Sequence, residues 1–177
     1  GFRMHASPSL GLPRNIAAPV IDMLFPDNAP SRIPILAVTG TNGKTTTTLL
    51  TYHILKKAGL DVGLAGNVGK SFAAELAKKD REYFVLEVSS FQLDDIEEFK
   101  PFISMILNIT PDHLDRYEGE MSRYIEAKFR ILENQDENDH FIFCEDDGVV
   151  GEEVRKRAIK PECHPVSITR PVENGAY

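Results

Sequence analysis

Apolar and polar positions form an ordered series of blocks along the chain from residue 34 onward. The run "ILAV", which begins at Ile35, is continuously apolar, and "YFVLEVS" at 83–89 and "ISMILNI" at 103–109 follow the same pattern. Such runs are typical of strands that are buried on both faces of a parallel sheet. Longer segments with helical spacing separate them. The alternation predicts βαβ units in an α/β domain, with a mostly parallel sheet flanked by helices.

The blocks resolve into a series of predicted strands and helices. Gly59 is expected to follow the first helix as a left-handed cap, because glycine adopts positive φ without a steric cost. The strands are predicted at 34–39, 62–67, 83–89, 103–109, 140–145 and 162–168. The helices are predicted at 43–58, 69–79, 121–134 and 148–158.

Residues 1–34 differ in character from the blocks that follow. They contain six of the eleven prolines and few charged residues. Within them, "NIAAPVIDMLF" at 15–25 predicts one short helix that starts or breaks near Pro19. We therefore predict a linker or docking arm at 1–33 and a domain at 34–177. The chain ends soon after the last predicted strand, so we expect the domain to be truncated.

The segment "GTNGKTTTT" at 40–48 joins the first strand to the first helix and suggests a phosphate-binding loop. Its two glycines allow backbone N–H groups to approach a ligand, and the helix start behind them favours an anion. Lys44 adds a positive charge, and the hydroxyl of Thr45 can reach a phosphate-bound Mg²⁺. The residues expected to bind the phosphate chain are Gly40, Thr41, Asn42, Gly43, Lys44, Thr45 and Thr46.

This loop is shorter than the common pattern G-x-x-x-x-G-K-[ST], which would need a glycine where Val38 stands. The remaining G-x-x-G-K-T is moderately specific on its own. The alternative is an ordinary glycine-rich turn between a strand and a helix, with an exposed lysine. The strand before the loop and the threonine after the lysine favour a P-loop-type sheet.

Polar residues also follow the other predicted strands. In open α/β sheets, ligands bind outside the carboxyl ends of the strands. Asn67 ends the second strand, Glu87 and Ser89 end the third, and "NITPDHLDRY" at 108–117 follows the fourth. We expect all of them to meet the loop at 40–48 around one crevice.

Two of these residues have a metal-binding interpretation and a structural alternative. Glu87 follows an apolar run, where an unpaired carboxylate is costly and where Mg²⁺ would remove the cost. Alternatively, it accepts a hydrogen bond from a hydroxyl such as that of Ser89. His113 is expected to contact a metal or a substrate. Its loop could instead be structural, with Asp112 as the cap of a short helix that begins at His113.

Lys128 lies on the apolar stripe of the predicted helix 121–134, together with Met121, Ile125 and Leu132. It is expected to face the interior, where desolvation lowers the pKa of a lysine and favours the neutral amine. A neutral amine can pair with a carboxylate, act as a base, or react with CO₂ to give a carbamate, an anionic oxygen ligand suited to Mg²⁺. The alternative is a lysine whose head group reaches water from the edge of the stripe.

Composition and charge argue against some classes of protein. The chain is 42% hydrophobic and 27% charged, as in soluble globular proteins, and its net charge of −7 argues against a nucleic-acid-binding surface. No apolar run approaches the length of a membrane span, and the first residues lack a signal-peptide pattern. Cys144 and Cys163 show no pairing pattern and fit a reducing compartment. We expect a cytoplasmic protein.

Five segments, taken together, resemble the central domain of the Mur ligases. They occur in the family's order and approximate spacing and extend over about residues 35–147. The segments are "GTNGKTTTT", "GLAGNVGKS", "LEVSSFQLD", "NITPDHLDRY" and "YIEAKFRI". The forms "SSFQL" and "DHLDRY" look most like the branch of the family that adds D-glutamate.

The resemblance implies an ATP-dependent amide ligase of peptidoglycan precursor synthesis, and hence a role in cell wall formation, cell shape and cell division. It would join D-glutamate to UDP-N-acetylmuramoyl-L-alanine through an acyl phosphate. By position in the motifs, the catalytic residues would be Lys44, His113 and Lys128. The ligands of two Mg²⁺ ions would be Thr45, Glu87, His113 and Lys128, the last as a carbamate. The substrate-binding residues would be Asn67, Ser89, Asp112 and Arg116.

The sequence departs from the family in two places. Residues 1–40 look instead like the approach to the ligase module of cyanophycin synthetase, a related ATP-dependent amino-acid ligase. The family's N-terminal UDP-binding domain, later adenine-contacting segment and C-terminal domain have no counterpart here. We therefore expect little turnover from this chain alone. A cyanophycin-synthetase-like module and a catalytically silent nucleotide-binding fragment remain alternatives, and an open sheet edge could support self-association.

Overall fold

The computed structural model describes residues 33–78 and 81–177 as an α/β domain built on one six-stranded sheet. The helix predicted at 15–25 and almost all of the predicted arm at 1–33 lie outside the described residues. The strands are β1 (Ile35–Thr39), β2 (Val62–Gly66), β3 (Tyr83–Glu87), β4 (Ile103–Ile106), β5 (His140–Cys144) and β6 (Glu162–Val166).

Each connection between consecutive strands contains at least one helix. The α-helices are α1 (Lys44–Lys57), α2 (Phe72–Leu76), α3 (Ser90–Leu93), α4 (Met121–Phe129) and α5 (Gly148–Lys156). Two 3₁₀ helices flank α4, at Leu114–Tyr117 and Arg130–Leu132. No helix in the described part of the chain is long and apolar enough to cross a membrane.

The strand order is β2-β3-β1-β4-β5-β6, and every neighbouring pair is parallel. The predicted α/β architecture is therefore confirmed. From β1 the chain first builds one side of the sheet with β2 and β3, and then crosses β1 to build the other side. The order reverses at β1, and in open α/β sheets such a point opens the crevice that binds ligands. β2 and β6 lie at the two ends of the strand order, and the expected self-association through an edge stays a prediction.

The sheet is buried on both faces, which explains the continuous apolar runs. Within β1, Ile35 and Ala37 join the larger core cluster, which also includes side chains of α4. Leu36 joins the smaller cluster on the other face, where Tyr52 and Leu55 of α1 pack. Alternate residues of one strand thus serve opposite cores, because successive side chains point to opposite faces.

The end of α1 confirms the predicted glycine cap. Gly59 has φ 87°, and its N–H donates to the carbonyl of Lys56 at 3.1 Å. The N–H of Leu60 donates to the carbonyl of Leu55 at 3.1 Å. These two bonds form a Schellman motif, which satisfies carbonyls at the helix end.

Several predicted boundaries are wrong for local reasons. The helix predicted at 69–79 begins only at Phe72, because Gly69 has φ 83° and Ser71 caps the helix by accepting from the N–H of Ala74. The helix predicted at 121–134 ends as α-helix at residue 129 and continues as a 3₁₀ turn. α3 was not predicted at all, and β3 and β4 end two and three residues earlier than expected.

The two cysteines behave as predicted. Cys144 and Cys163 are free thiols of intermediate burial, on neighbouring strands. Cys163 packs against the larger core cluster. Burial raises the pKa of the Cys163 thiol, so this group stays protonated and unreactive at neutral pH.

Candidate active site

The register of the sheet brings the ends of three strands to one level. Glu87 in β3 lies opposite both Val38 in β1 and Gly66 in β2. Just beyond Gly66, the N–H of Asn67 donates to the carbonyl of Glu87 at 2.9 Å and closes the turn after β2. The loops after β1, β2 and β3 therefore leave the sheet side by side, as the sequence predicted.

The loop between β1 and α1 has the backbone shape of an anion site. Gly43 is the N-cap of α1 with φ 82°, a left-handed conformation that side chains rarely adopt. Gly40 has φ 145°, and a Cβ there would lie 3.1 Å from the Cβ of Leu107. The first turn of the following 14-residue helix leaves N–H groups without helical partners, and its dipole favours a negative charge there. The glycines are thus required by geometry.

Hydrogen bonds hold this loop against the segment that follows β4. The N–H of Thr41 donates to the carbonyl of Asn108 at 2.9 Å, and the N–H of Asn42 donates to the Asn108 side chain at 2.8 Å. The Thr41 hydroxyl donates to the carbonyl of Thr110 at 3.1 Å and lies 3.2 Å from the Tyr124 hydroxyl. The loop is therefore fixed before any ligand arrives. Sequence reasoning missed Tyr124, although it lies one turn before Lys128 on the same helix.

Two lysines converge on one backbone carbonyl of this loop. Lys44 Nζ donates to the carbonyl oxygens of Gly40 and Thr41, at 2.9 and 2.8 Å. Lys128 Nζ donates to the same Gly40 oxygen at 2.9 Å and lies 4.7 Å from the centre of the Tyr124 ring. Two positive charges so close together repel each other, and an anion placed between them would be attracted to both.

Lys128 is buried, as predicted, with 1% of its surface exposed. Burial is the largest cause that lowers its pKa to about 7; the charge of Lys44 acts in the same direction, and Asp112 opposes it. The alternative of a head group that reaches water is wrong. The buried face of α4 is also shifted from the predicted stripe, because Met121 and Ile125 are only partly buried whereas Tyr124 is buried.

Glu87 is a buried carboxylate that accepts two hydrogen bonds. It is 2% exposed, and it accepts from the Thr45 hydroxyl at 2.6 Å and from the Asn67 amide at 2.8 Å. The alternative that a hydroxyl donates to Glu87 is therefore confirmed, through Thr45. The suggested partner Ser89 is wrong, because the Ser89 hydroxyl donates to Gln92 at 3.1 Å. Thr45 and Asn67 are both residues that the sequence assigned to the site. A carboxylate beside a hydroxyl is a donor set that suits Mg²⁺.

The loop after β4 places a histidine at the outer side of this group. His113 has φ 49° and is the N-cap of the 3₁₀ helix Leu114–Tyr117, so the interpretation of Asp112 as the cap is wrong. The His113 side chain is 61% exposed, and its Nε2 lies 3.6 Å from a carboxylate oxygen of Asp112. The charge of Asp112 acts on the pKa of Lys128, which connects this loop electrostatically with the lysine pair.

The remaining predicted site residues are held by α3 or point to solvent. Ser89 caps α3 in a reciprocal box with Gln92. The Arg116 guanidinium stacks on the ring of Phe91 at 4.3 Å. The described contacts of these two side chains are therefore to α3 and not to the phosphate loop. Thr46 is exposed on the first turn of α1.

A parallel sheet with its order reversed at β1, and a glycine loop leading to a helix beside a buried carboxylate, define a P-loop-type α/β domain. Residues 38–176 match the Mur ligase middle domain. The chain belongs to this family. The match lies within the predicted domain at 34–177, whose boundary stays a prediction.

Curated proteins that are similar to this chain carry the name UDP-N-acetylmuramoylalanine–D-glutamate ligase. The relative from Christiangramia forsetii is 49% identical over 147 residues, which are 83% of this chain and 33% of the relative. The relative from Bacteroides fragilis is 50% identical over 143 residues, which are 81% and 32%. The chain therefore spans about a third of the length of these relatives. They lend no support to the resemblance of residues 1–40 to cyanophycin synthetase.

Solved structures of Mur ligases share the fold. The MurF ligase of Thermotoga maritima in complex with ADP has a TM-score of 0.65 at 23% identity, over 86% of this chain and 35% of that one. A UDP-N-acetylmuramoyl-L-alanyl-D-glutamate–2,6-diaminopimelate ligase has a TM-score of 0.65 at 22% identity, over 90% and 37%. These likenesses confirm the predicted fold class.

Proposed function

We propose that this domain is the ATP-binding part of a ligase that adds D-glutamate to UDP-N-acetylmuramoyl-L-alanine in peptidoglycan precursor synthesis. The observation that carries the proposal is the convergence of Lys44 and Lys128 on the Gly40 carbonyl, at the start of α1. The identity of about 50% to D-glutamate ligases supports the choice of this ligase within the family. Such a role would be carried out in the cytoplasm, as the sequence predicted.

The residues present fit a nucleotide with Mg²⁺. The positive-φ glycines, the helix start and the ammonium of Lys44 suit the phosphate chain of ATP. Thr45 and Glu87 would hold one Mg²⁺ through oxygen atoms, as this ion prefers. ATP with Mg²⁺ would supply the phosphoryl group that activates the substrate carboxylate as an acyl phosphate.

The residues of this chain would bind the phosphate groups of the nucleotide and orient them. Lys44 would turn from its loop carbonyls to the phosphate oxygens and neutralise their charge. Glu87, held by the Asn67 amide, would keep the Thr45 hydroxyl turned towards the metal side of the loop. Because Asn108 and Thr110 pin the loop in advance, little conformational freedom would be lost when the nucleotide binds.

Lys128 and His113 would serve the second Mg²⁺ site. We propose that Lys128 is carbamylated, because a buried lysine with a pKa near 7 presents a neutral amine to CO₂ at physiological pH. The carbamate would replace a positive charge beside Lys44 by a negative one and so remove their repulsion. The test is NMR with ¹³C-bicarbonate: a carbamate resonance is expected for the chain and not for Lys128→Met. Its absence from both proteins would rule out the modification.

The substrate side would involve Asn67, Ser89, Asp112 and Arg116. Asn67 and Asp112 are already linked to Glu87 and Lys128 by contacts or charge. Ser89 caps α3, and the side chain of Arg116 packs against Phe91 of the same helix. These two residues would therefore form the wall of the crevice farther from the loop. Because the chain spans about a third of its relatives, we expect D-glutamate binding and full turnover to need the remaining parts of such a ligase.

The decisive experiment is calorimetric titration of a non-hydrolysable ATP analogue with Mg²⁺ into the 177-residue chain. Lys44→Ala is expected to weaken binding roughly 10- to 150-fold, since a charged hydrogen bond contributes about 1.5–3 kcal/mol. Lys57→Ala, in the last turn of the same helix, is the matched control and should bind like the parent. If the parent does not bind, or if both variants weaken equally, the proposed phosphate site is wrong.

The ligase assignment is tested with a chimera. Residues 38–176 replace the matching segment of the Bacteroides fragilis D-glutamate ligase. ATP-dependent incorporation of D-glutamate, lost in the chimera with Lys44→Ala, is the expected result. A chimera that folds and binds Mg·ATP but does not ligate D-glutamate would favour the silent nucleotide-binding fragment.

A further inference from the structure

Three side chains that commonly bind metals meet at the edge of the sheet opposite the phosphate loop. His140 begins β5, Glu162 begins β6, and His164 follows two residues later. The parallel register pairs His140 with Glu162, and His164 points to the same face of β6 as Glu162 because side chains alternate along a strand. All strands run in one direction, so this cluster lies at their amino ends, whereas the phosphate loop lies at the carboxyl ends.

The ligand atoms are spaced as around a small cation. Nδ1 of His140 lies 3.0 Å from Nε2 of His164 and 3.3 Å from Oε2 of Glu162; Nε2 of His164 lies 3.8 Å from the same oxygen. The point equidistant from these three atoms lies about 2.0 Å from each, and Zn²⁺ is bound by His and Glu at about 2.0–2.2 Å. An ion would therefore fit with little movement of the side chains.

We propose that His140, Glu162 and His164 bind a divalent transition metal of the Zn²⁺ class, which links β6 to β5. Two imidazoles and one carboxylate form a ligand set that Zn²⁺ uses with water as a fourth ligand. Mg²⁺ and Ca²⁺ prefer oxygen ligands, so a set in which two of the three ligands are nitrogen atoms matches them poorly. The side chains of His140 and His164 are 33% and 32% exposed, so an ion can enter from solvent and keep a bound water.

The surroundings fix the cluster and give it a structural role. The ring of Phe102 packs edge-on against His140 with centroids 5.2 Å apart, which restrains the orientation of this imidazole. β6 ends the strand order of the described sheet, and β5 is the strand beside it. A metal that binds residues of both strands stabilises their pairing, since a ligand that binds only the folded state raises its stability.

Without a metal, the two ring nitrogens can share one hydrogen bond, with an N–H on one ring and a lone pair on the other. This is the competing explanation of the 3.0 Å distance between them. It predicts no response to metals, whereas the proposed site predicts a response to Zn²⁺ and not to Mg²⁺.

The test is thermal unfolding of the whole chain in a chelator and at increasing free Zn²⁺. At about one hundred times Kd, the unfolding temperature should rise by about 5–10 °C, and Mg²⁺ at the same concentration should have no such effect. Co²⁺ should give the visible absorption of a tetrahedral complex. A chain with no Zn²⁺ response and no such spectrum would overturn the proposal.

Substitutions test whether the responses to Zn²⁺ and Co²⁺ arise from the proposed ligands. His164→Gln should lose the temperature shift and the Co²⁺ spectrum, while His53→Gln, at an exposed position of α1, should keep both. Circular dichroism in the chelator checks that His164→Gln is folded. If it is not, Glu162→Gln replaces it; this side chain is 58% exposed, and its loss should weaken Co²⁺ binding at least roughly tenfold. A parental Zn²⁺ response in His164→Gln, or in Glu162→Gln where it is used instead, would contradict the proposed ligands.

Discussion

The carboxyl edge of the sheet, where its parallel strands end, and the amino edge, where they begin, are built in different ways. At the carboxyl edge, loops after several strands bring together two lysines and a buried glutamate, and the backbone there needs glycines at positive φ. At the amino edge, three ligands lie directly on two neighbouring strands and are partly exposed. The first edge holds charges at a cost, as the lowered pKa of Lys128 shows. The second follows from register alone.

The difference between the two edges shows where the proposed function restricts the choice of residues. Buried charges and left-handed backbone conformations reduce stability unless a ligand or a neighbour compensates them, so they mark the edge at which chemistry occurs. A cross-strand ligand cluster carries no such cost. Changes at the carboxyl edge should therefore have larger effects on the folded state than changes at the amino edge.

The largest effect is expected from Gly66→Ala. A Cβ at Gly66 would lie 2.2 Å from the backbone oxygen of Glu87, and the residue has φ 94°. Overpacking and backbone strain together should cost about 3–5 kcal/mol of unfolding free energy. Gly69→Ala is the control, because Gly69 has φ 83° but nothing within 4 Å of its Cβ position, and it should lose about 1–2 kcal/mol. Urea unfolding measures both; equal losses would show that the close approach is unimportant.

The second effect concerns pH. The folded chain holds Lys128 with a pKa of about 7, while the unfolded chain has an ordinary lysine pKa near 10.4. Between these values the unfolded state binds more protons, so stability rises with pH. Relative to Lys128→Met, the parent should gain about 3 kcal/mol between pH 7 and 9.5. Urea unfolding of both proteins at each pH, in CO₂-free buffer so that Lys128 stays an amine, measures the gain. Parallel stability curves would mean that Lys128 is not desolvated in solution.

The third effect concerns the metal at the carboxyl edge. Glu87→Gln keeps the shape of the side chain but removes its charge, so binding of the ATP analogue should lose its dependence on Mg²⁺ and weaken roughly tenfold. Thr45→Ser, which keeps the hydroxyl that donates to Glu87, is the control and should retain the dependence. Calorimetry with and without Mg²⁺ reports the difference. An unchanged Mg²⁺ response in Glu87→Gln would remove Glu87 from the metal site.

The smallest effect is the coupling between the edges. The phosphate loop follows β1, whereas the His140 cluster lies two strands away at the opposite ends of the strands. Distant sites that share no partners add their free energies within about 0.5 kcal/mol. Stabilisation by Zn²⁺ and by the Mg·ATP analogue together should therefore equal the sum of the two separate effects in thermal unfolding. A coupling above about 1 kcal/mol would show that the edges are not independent.

Much of the fold follows from local patterns. All six strands of the described sheet were predicted, β1, β3 and β4 from continuous apolar runs, and Gly59 marked the end of α1 by its backbone conformation. The glycine loop was visible because its shape depends on residue type. α3 was missed because its four residues are too few for a helical period, and α2 was placed too early because Gly69 and Ser71 start it later than its apolar spacing indicates.

Sequence alone determined the succession of strands and main helices along the chain, the glycine loop with Lys44, and the inward position of Lys128. These features depend on local periodicity and backbone freedom, which are properties of neighbouring residues. Tertiary structure decided that Lys44 and Lys128 share one carbonyl, that Thr45 and Asn67 meet Glu87, and that His140 meets His164. These contacts depend on strand register and on the reach of side chains between segments separated by 20 to 88 positions. Distances of that kind arise only when the sheet has formed.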